Sequence, residues 1–224
     1  MVVPLVHKVA GPEDVPVYVL IHGMGSRAAT WVWDDVVSLM QGDSRLIAVD
    51  LRGHGESPQP GSYKLTEMAD DVAGLLDDLG VESATIVGHS MGGIVALNLA
   101  QRRPDLVKDL VLEDSPPPPR EGSKLLGDGI FGDPVPYDFE IRPELLRELR
   151  NPNPEWAGRI GEIKKPVLVI GGGETGGVDQ RDLKNLAAEL GAEFTTIDVG
   201  HNVHRDRPEE FVGKIRDWKK RIAG

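Results

Sequence analysis

"ATIVGHSMGGIVALNLA", residues 84–100, carries an apolar, β-branched run directly into an apolar helical pattern across Gly88-His89-Ser90-Met91-Gly92. Glycines on both sides of the serine permit a strand-to-helix reversal tight enough to hold the serine in a strained backbone conformation, with its Oγ lifted clear of a sheet. The helix that follows adds its positive N-terminal end and aims its first amides at any negative charge that develops there. The bare G-x-S-x-G pattern recurs by chance, but a strand before it and a helix over 91–102 after it give it a definite structural context.

Outward from this turn the same alternation repeats. Residues 16–23, 45–50, 110–114, 166–172 and 194–200 are further short, nearly continuous apolar runs ending in Gly, Asp or His. Runs of that kind are buried on both faces and belong to parallel strands. Between them, Met68, Val72, Leu75, Leu76 and Leu79 line one face of a helix closed by Gly80. Near the end, Pro208 opens a helix with Phe211, Ile215, Trp218 and Ile222 on one stripe. The pattern predicts an α/β fold, a mostly parallel central sheet with helices on both faces, formed by residues 1–114 and 166–224. Residues 115–165 break the rhythm: they open with "SPPPP", hold one helical pattern at 142–150, and carry Phe131, Tyr137, Phe139 and Trp156. A stiff polyproline start followed by aromatics predicts a lid or cap over the carboxyl ends of the strands, where open α/β sheets bind ligands.

Composition narrows the function classes. With 40% hydrophobic and 27% charged residues, the 224-residue chain has a globular composition. A net charge of −11 disfavours nucleic acid and anionic membrane surfaces as partners. The absence of cysteine excludes disulfides, thiolate metal sites and a cysteine nucleophile. Residues 1–23 lack the basic start and unbroken apolar core of a signal peptide, and no apolar stretch reaches the ~18–20 residues that span a bilayer, so a cytoplasmic protein is expected.

A second glycine-rich stretch, "VLVIGGGETGG" at 167–177, poses an alternative. Gly171, Gly173 and Gly176 satisfy G-x-G-x-x-G after a strand, with Asp198 further on, the dinucleotide-binding spacing. Too few strand and helix units follow to complete a dinucleotide fold, so a tight turn beside the active site is the expectation, and no cofactor. The histidines lack H-E-x-x-H spacing, and no metal is expected. The "DLRGHGES" turn, 50–57, has the polar groups that satisfy backbone amides in tight turns.

Two further pieces complete a chemistry. His22-Gly23-Met24-Gly25 follows the first long strand, a turn whose backbone amides can approach an oxyanion, and His201 follows Gly200 after the last strand. A serine hydroxyl needs an imidazole to take its proton, and the imidazolium needs a carboxylate behind it. Together "HGMGSRAATW" (22–31), "DLRGHGES" (50–57), "GHSMGG" (88–93) and "GHNVH" (200–204) resemble the esterase-like, cofactor-free branch of the α/β-hydrolase superfamily, over about residues 15–220. The resemblance implies Ser90 as nucleophile, His201 as general base, the amides of Met24 and Met91 as oxyanion hole, and a lid at 115–165.

The acid departs from the family's usual pattern. Counting from Pro166 to the position where the family commonly carries it lands on Thr175, with Glu174 one residue early. Asp114, at the end of "LVLED", is the other candidate; haloalkane dehalogenases and certain lipases of the superfamily carry their acid at that strand. A rigid strand end preorganises a carboxylate better than a glycine-rich loop does, which favours Asp114. Asp179 reads as a helix cap. Gly23, His89 and Phe131 are the candidates for contact with substrate. The expected activity is a serine hydrolase acting on a small carboxylic ester or related acyl compound. Lyase, carbon–carbon hydrolase or perhydrolase chemistry on the same parts is one alternative, and a non-catalytic binding module is another. Nothing in the sequence bears on oligomeric state.

Overall fold

The computed structural model describes residues 1–33, 35–118, 137–151 and 158–224. Seven strands form one sheet: β1 (His7–Ala10), β2 (Val17–Ile21), β3 (Arg45–Val49), β4 (Ala84–His89), β5 (Val107–Glu113), β6 (Val167–Gly171) and β7 (Glu193–Thr196). Their spatial order is β1-β3-β2-β4-β5-β6-β7, and every pairing is parallel except β1 with β3. The mostly parallel sheet is as expected from the apolar runs. β1 is an addition; its four residues are an edge strand with no fully buried position, so hydrophobicity does not announce it.

Side chains alternate across the sheet, and two cores result. Val19, Ile21, Ile47, Val49, Ile86, Leu110, Leu112 and Val169 face α3 (Leu65–Asp78), α4 (Met91–Arg102) and α6 (Gln180–Leu190). Tyr18, Leu20, Leu46, Ala48, Val87, Val111, Leu168 and Ile170 face α1 (Ala28–Trp33), α2 (Val36–Met40) and α8 (Pro208–Ala223). Among the described residues the remaining α-helices are α5 (Ile141–Arg150) and α7 (Val203–Asp206), a single turn between the His201 loop and α8. No helix among the described residues is long and apolar enough to cross a membrane.

The described parts of the expected insertion close onto this core. Ile141 and Leu145 of α5, with Ile160 and Ile163, are buried in the cluster that contains α3 and α4. Polar contacts fix the same docking: Tyr63 donates its amide to Glu144 Oε2 at 2.6 Å, Leu65 donates its amide to Glu148 Oε2 at 2.9 Å, and the Tyr63 hydroxyl meets Asp138. Phe131 and Trp156 lie outside the described residues.

What matters for function is register. Ile21 lies beside Gly88, His89 beside Glu113, and Glu113 beside Ile170, so four central strands end level with one another. The turns that leave them, at residues 22, 90, 114 and 172, therefore open at one edge of the sheet.

Candidate active site

Ser90 follows β4 directly and caps α4, with φ 52° and ψ −120°. Its amide donates to the Glu113 carbonyl at 2.9 Å, and its own carbonyl accepts from Gly93, so both sides of the strained residue are tied down. The glycines around it are sterically required. A Cβ on Gly88 would stand 2.5 Å from the Gly92 carbonyl oxygen, and one on Gly92 would collide with the carbonyl of Ile21. That second approach presses the start of α4 against the end of β2, where His22-Gly23-Met24 turns. A Cβ on Gly23 would lie 3.2 Å from that of Ser90. The amide of Met91, the first residue of α4, belongs to the helix's intrinsically unpaired first turn, and Met24 lies in the turn abutting Ser90.

Asp114 is the next residue after β5 and is fully buried, also at positive φ, 38°. Three donors converge on its carboxylate: Gly172 N on Oδ1 at 3.0 Å, Gly177 N on Oδ2 at 2.7 Å, and His201 Nδ1 on Oδ2 at 2.6 Å. Its own amide donates to Ile170 at 2.8 Å. The carboxylate thus fixes the His201 tautomer with Nδ1 protonated and leaves Nε2 as the basic nitrogen. Glu174 is exposed in the turn after β6. Of the two candidate acids, the structure joins Asp114 to His201.

The glycine turn now has a physical explanation. Two of the amides that would cradle a phosphate, those of Gly172 and Gly177, are taken by Asp114. A Cβ on Gly177 would overlap the His201 ring, so the turn must be bare for the imidazole to reach Asp114. Asp179 caps α6 by accepting from Arg181 N at 2.8 Å, as expected.

His89 supports the loop from beneath. It is buried, and its Nε2 donates to the His201 carbonyl at 2.9 Å. Burial pushes its pKa down to about 3, so the ring is neutral. Beside it lies a pair that the sequence alone does not join. His204 Nδ1 contacts both carboxylate oxygens of Glu113, at 2.9 and 2.8 Å, and the His204 amide donates to Glu113 Oε1 at 2.9 Å. The donor atoms of His89, Glu113 and His204 lie within 4.8 Å of one another, close enough to suggest a cation site. Glu113 is bonded to His204, and His89 Nε2 to the His201 carbonyl. The signal for the pair was present as two consecutive acids, Glu113-Asp114, and two histidines three residues apart.

The Asp50 carboxylate accepts from Ala28 N at 2.6 Å and Glu56 N at 3.0 Å, which braces the "DLRGHGES" turn against the start of α1. His22 and His54 are buried near the Gly23 turn, and burial lowers them to about 4 and about 3.

Comparison with known proteins identifies the family of the fold. A family described as "alpha/beta hydrolase fold" matches residues 16–143. The chain is 36% identical to the sn-1-specific diacylglycerol lipase ABHD11 of Mus musculus, over 93% of this chain and 82% of that protein. It is 39% identical to the RutD protein of Variovorax paradoxus (strain S110), over 49% of this chain and 41% of that protein; the match spans about two fifths of that relative's length. Among solved structures, one described as "Est816 as an N-Acyl homoserine lactone degrading enzyme" superposes with a TM-score of 0.79 at 26% identity, covering 95% of this chain and 96% of that one.

Proposed function

Because the chain belongs to the α/β-hydrolase family, we propose that it is a serine hydrolase that cleaves a carboxylic ester or related acyl compound through an acyl-enzyme. The observation that carries the proposal is the 2.6 Å hydrogen bond from His201 Nδ1 to a buried Asp114 that two backbone amides already hold. A carboxylate fixed in this way orients the imidazole and stabilises the imidazolium without itself taking a proton. Ser90 Oγ attacks the acyl carbon while His201 Nε2 takes the hydroxyl proton. The amides of Met24 and Met91 stabilise the oxyanion, and His201 returns the proton to the departing alcohol. Water, deprotonated by the same imidazole, then releases the acid and restores the Ser90 hydroxyl.

A lipase among the relatives and a lactone-degrading enzyme among the similar structures both support an ester as the bond cleaved. The test is a pre-steady-state assay with p-nitrophenyl acetate, with the quenched protein analysed by peptide mass spectrometry. The expected result is a burst of nitrophenol matched by acetylation of Ser90. Steady hydrolysis with acetyl groups only on surface lysines, and the same rate in Ser90→Ala, would refute the proposal.

A further inference from the structure

Glu113, the last residue of β5, and Asp114, the next, each meet a histidine of the segment 201–204. Asp114 takes His201 at 2.6 Å; Glu113, fully buried, takes both the ring and the backbone amide of His204. The loop 201–204 is therefore pinned to one strand end at two points, three residues apart. Between the two pins stands His89, which donates to the His201 carbonyl and packs its ring edge-on against His204, with centroids 5.0 Å apart. On its other side the His204 ring stacks on Trp31 at 4.2 Å. Trp31 lies on α1, the helix that continues from the Gly23–Met24 turn.

We infer that Glu113 and His204 are positioning residues for His201. They form a second, buried acid–histidine pair that touches no substrate and sets the height and tilt of the imidazole between Asp114 and Ser90. The inference rests on the proposed role of His201 as base. Burial opposes ionisation of Glu113, yet the adjoining His204, which meets it through both ring and amide, holds its carboxyl below the usual carboxylate range. The geometry sets two roles apart: Asp114 acts on the ring of His201, whereas Glu113 acts on the backbone that carries the ring. A displacement of about 1 Å in a catalytic group is enough to cost up to 100-fold in rate.

Removing one member of a buried pair strands its partner, whereas exchanging both for apolar groups of similar volume preserves packing. The test therefore compares the full-length wild type with the double variant Glu113→Leu/His204→Phe. Two readouts are used: the rate of fluorophosphonate labelling at Ser90, and the hydrogen exchange of the downfield His201 Nδ1 proton, assigned by its loss in His201→Gln. The double variant is expected to unfold within a few degrees of wild type. Its labelling should be about 10- to 100-fold slower and its Nδ1 proton should exchange at least about tenfold faster. An unchanged Nδ1 proton, with labelling within about twofold of wild type, would overturn the inference. If the wild type itself is not labelled, the hydrolase reading fails, and the exchange comparison alone still decides the positioning role. Should the double variant not fold, Glu113→Gln serves in its place. It keeps one acceptor for His204 and is expected to shift both readouts in the same direction by less.

Discussion

Ser90 and Asp114 end neighbouring strands at positive φ, 52° and 38°, a region that residues with a Cβ seldom occupy. Strain of this kind costs on the order of 1–3 kcal/mol per residue and persists only where the surroundings overdetermine it. Here the amide of Ser90 is held by Glu113 and the amide of Asp114 by Ile170. Ser90→Gly should therefore raise the stability measured by urea unfolding by about 1 kcal/mol while abolishing ester hydrolysis. A loss of stability on that substitution would mean that the turn is not strained. Ser90, His201 and the two candidate acids stand out in the sequence because each follows an apolar run that ends in a tight turn. The stiffness of a strand end favours Asp114, and the His201 hydrogen bond lies there. Glu113 was harder to see: inside "LVLED" it looks like one more strand residue, and only the fold brings His204 to it.

At the scale of elements, α3 is legible as an apolar stripe closed by Gly80, whereas α4 is buried at every position from Met91 to Ala100 and is legible from the turn it follows. The short α1 and α2 carried no such signal; they are buried by packing against α8 and the sheet, a tertiary effect that local pattern does not record. The docking of α5 is tertiary as well. Lys64 supplies no side-chain cap to α3, and Glu148 of α5 accepts the Leu65 amide in its place. Burial, together with the negative charge of Glu144, raises the pKa of Glu148, so its charge is disfavoured where its acceptor oxygen is needed. Glu148→Ala should cost about 1 kcal/mol of stability, in line with the loss of an N-cap, whereas Glu148→Gln should cost much less. Equal losses in thermal or urea unfolding would show that the carboxylate charge, not the acceptor, holds α5.

For the whole molecule, the level ends of β2, β4, β5 and β6 gather residues from positions 22 to 201 at one edge of the sheet, so the site is a product of topology as much as of motif. Burial lowers His22, His89 and His54 to about 4, 3 and 3. With the unfolded values near 6.5, these rings stay neutral when folded and take up protons on unfolding, so their contribution to stability is lost as the pH falls below about 6.5. Stability measured by urea unfolding should fall between pH 6.5 and 4.5 with a slope equivalent to about three protons near pH 5. A flat profile across that window would contradict neutral burial of the three rings. The central claim, that Ser90 is armed through His201 by Asp114, is tested most directly by the rate of fluorophosphonate labelling, with the adduct mapped to a peptide, in wild type, Asp114→Asn and Glu174→Gln. The account predicts labelling of Ser90 that falls by about 10³-fold or more in Asp114→Asn and stays within about twofold of wild type in Glu174→Gln. Labelling that survives in Asp114→Asn and collapses in Glu174→Gln, or no adduct on Ser90 in the wild type, would contradict it.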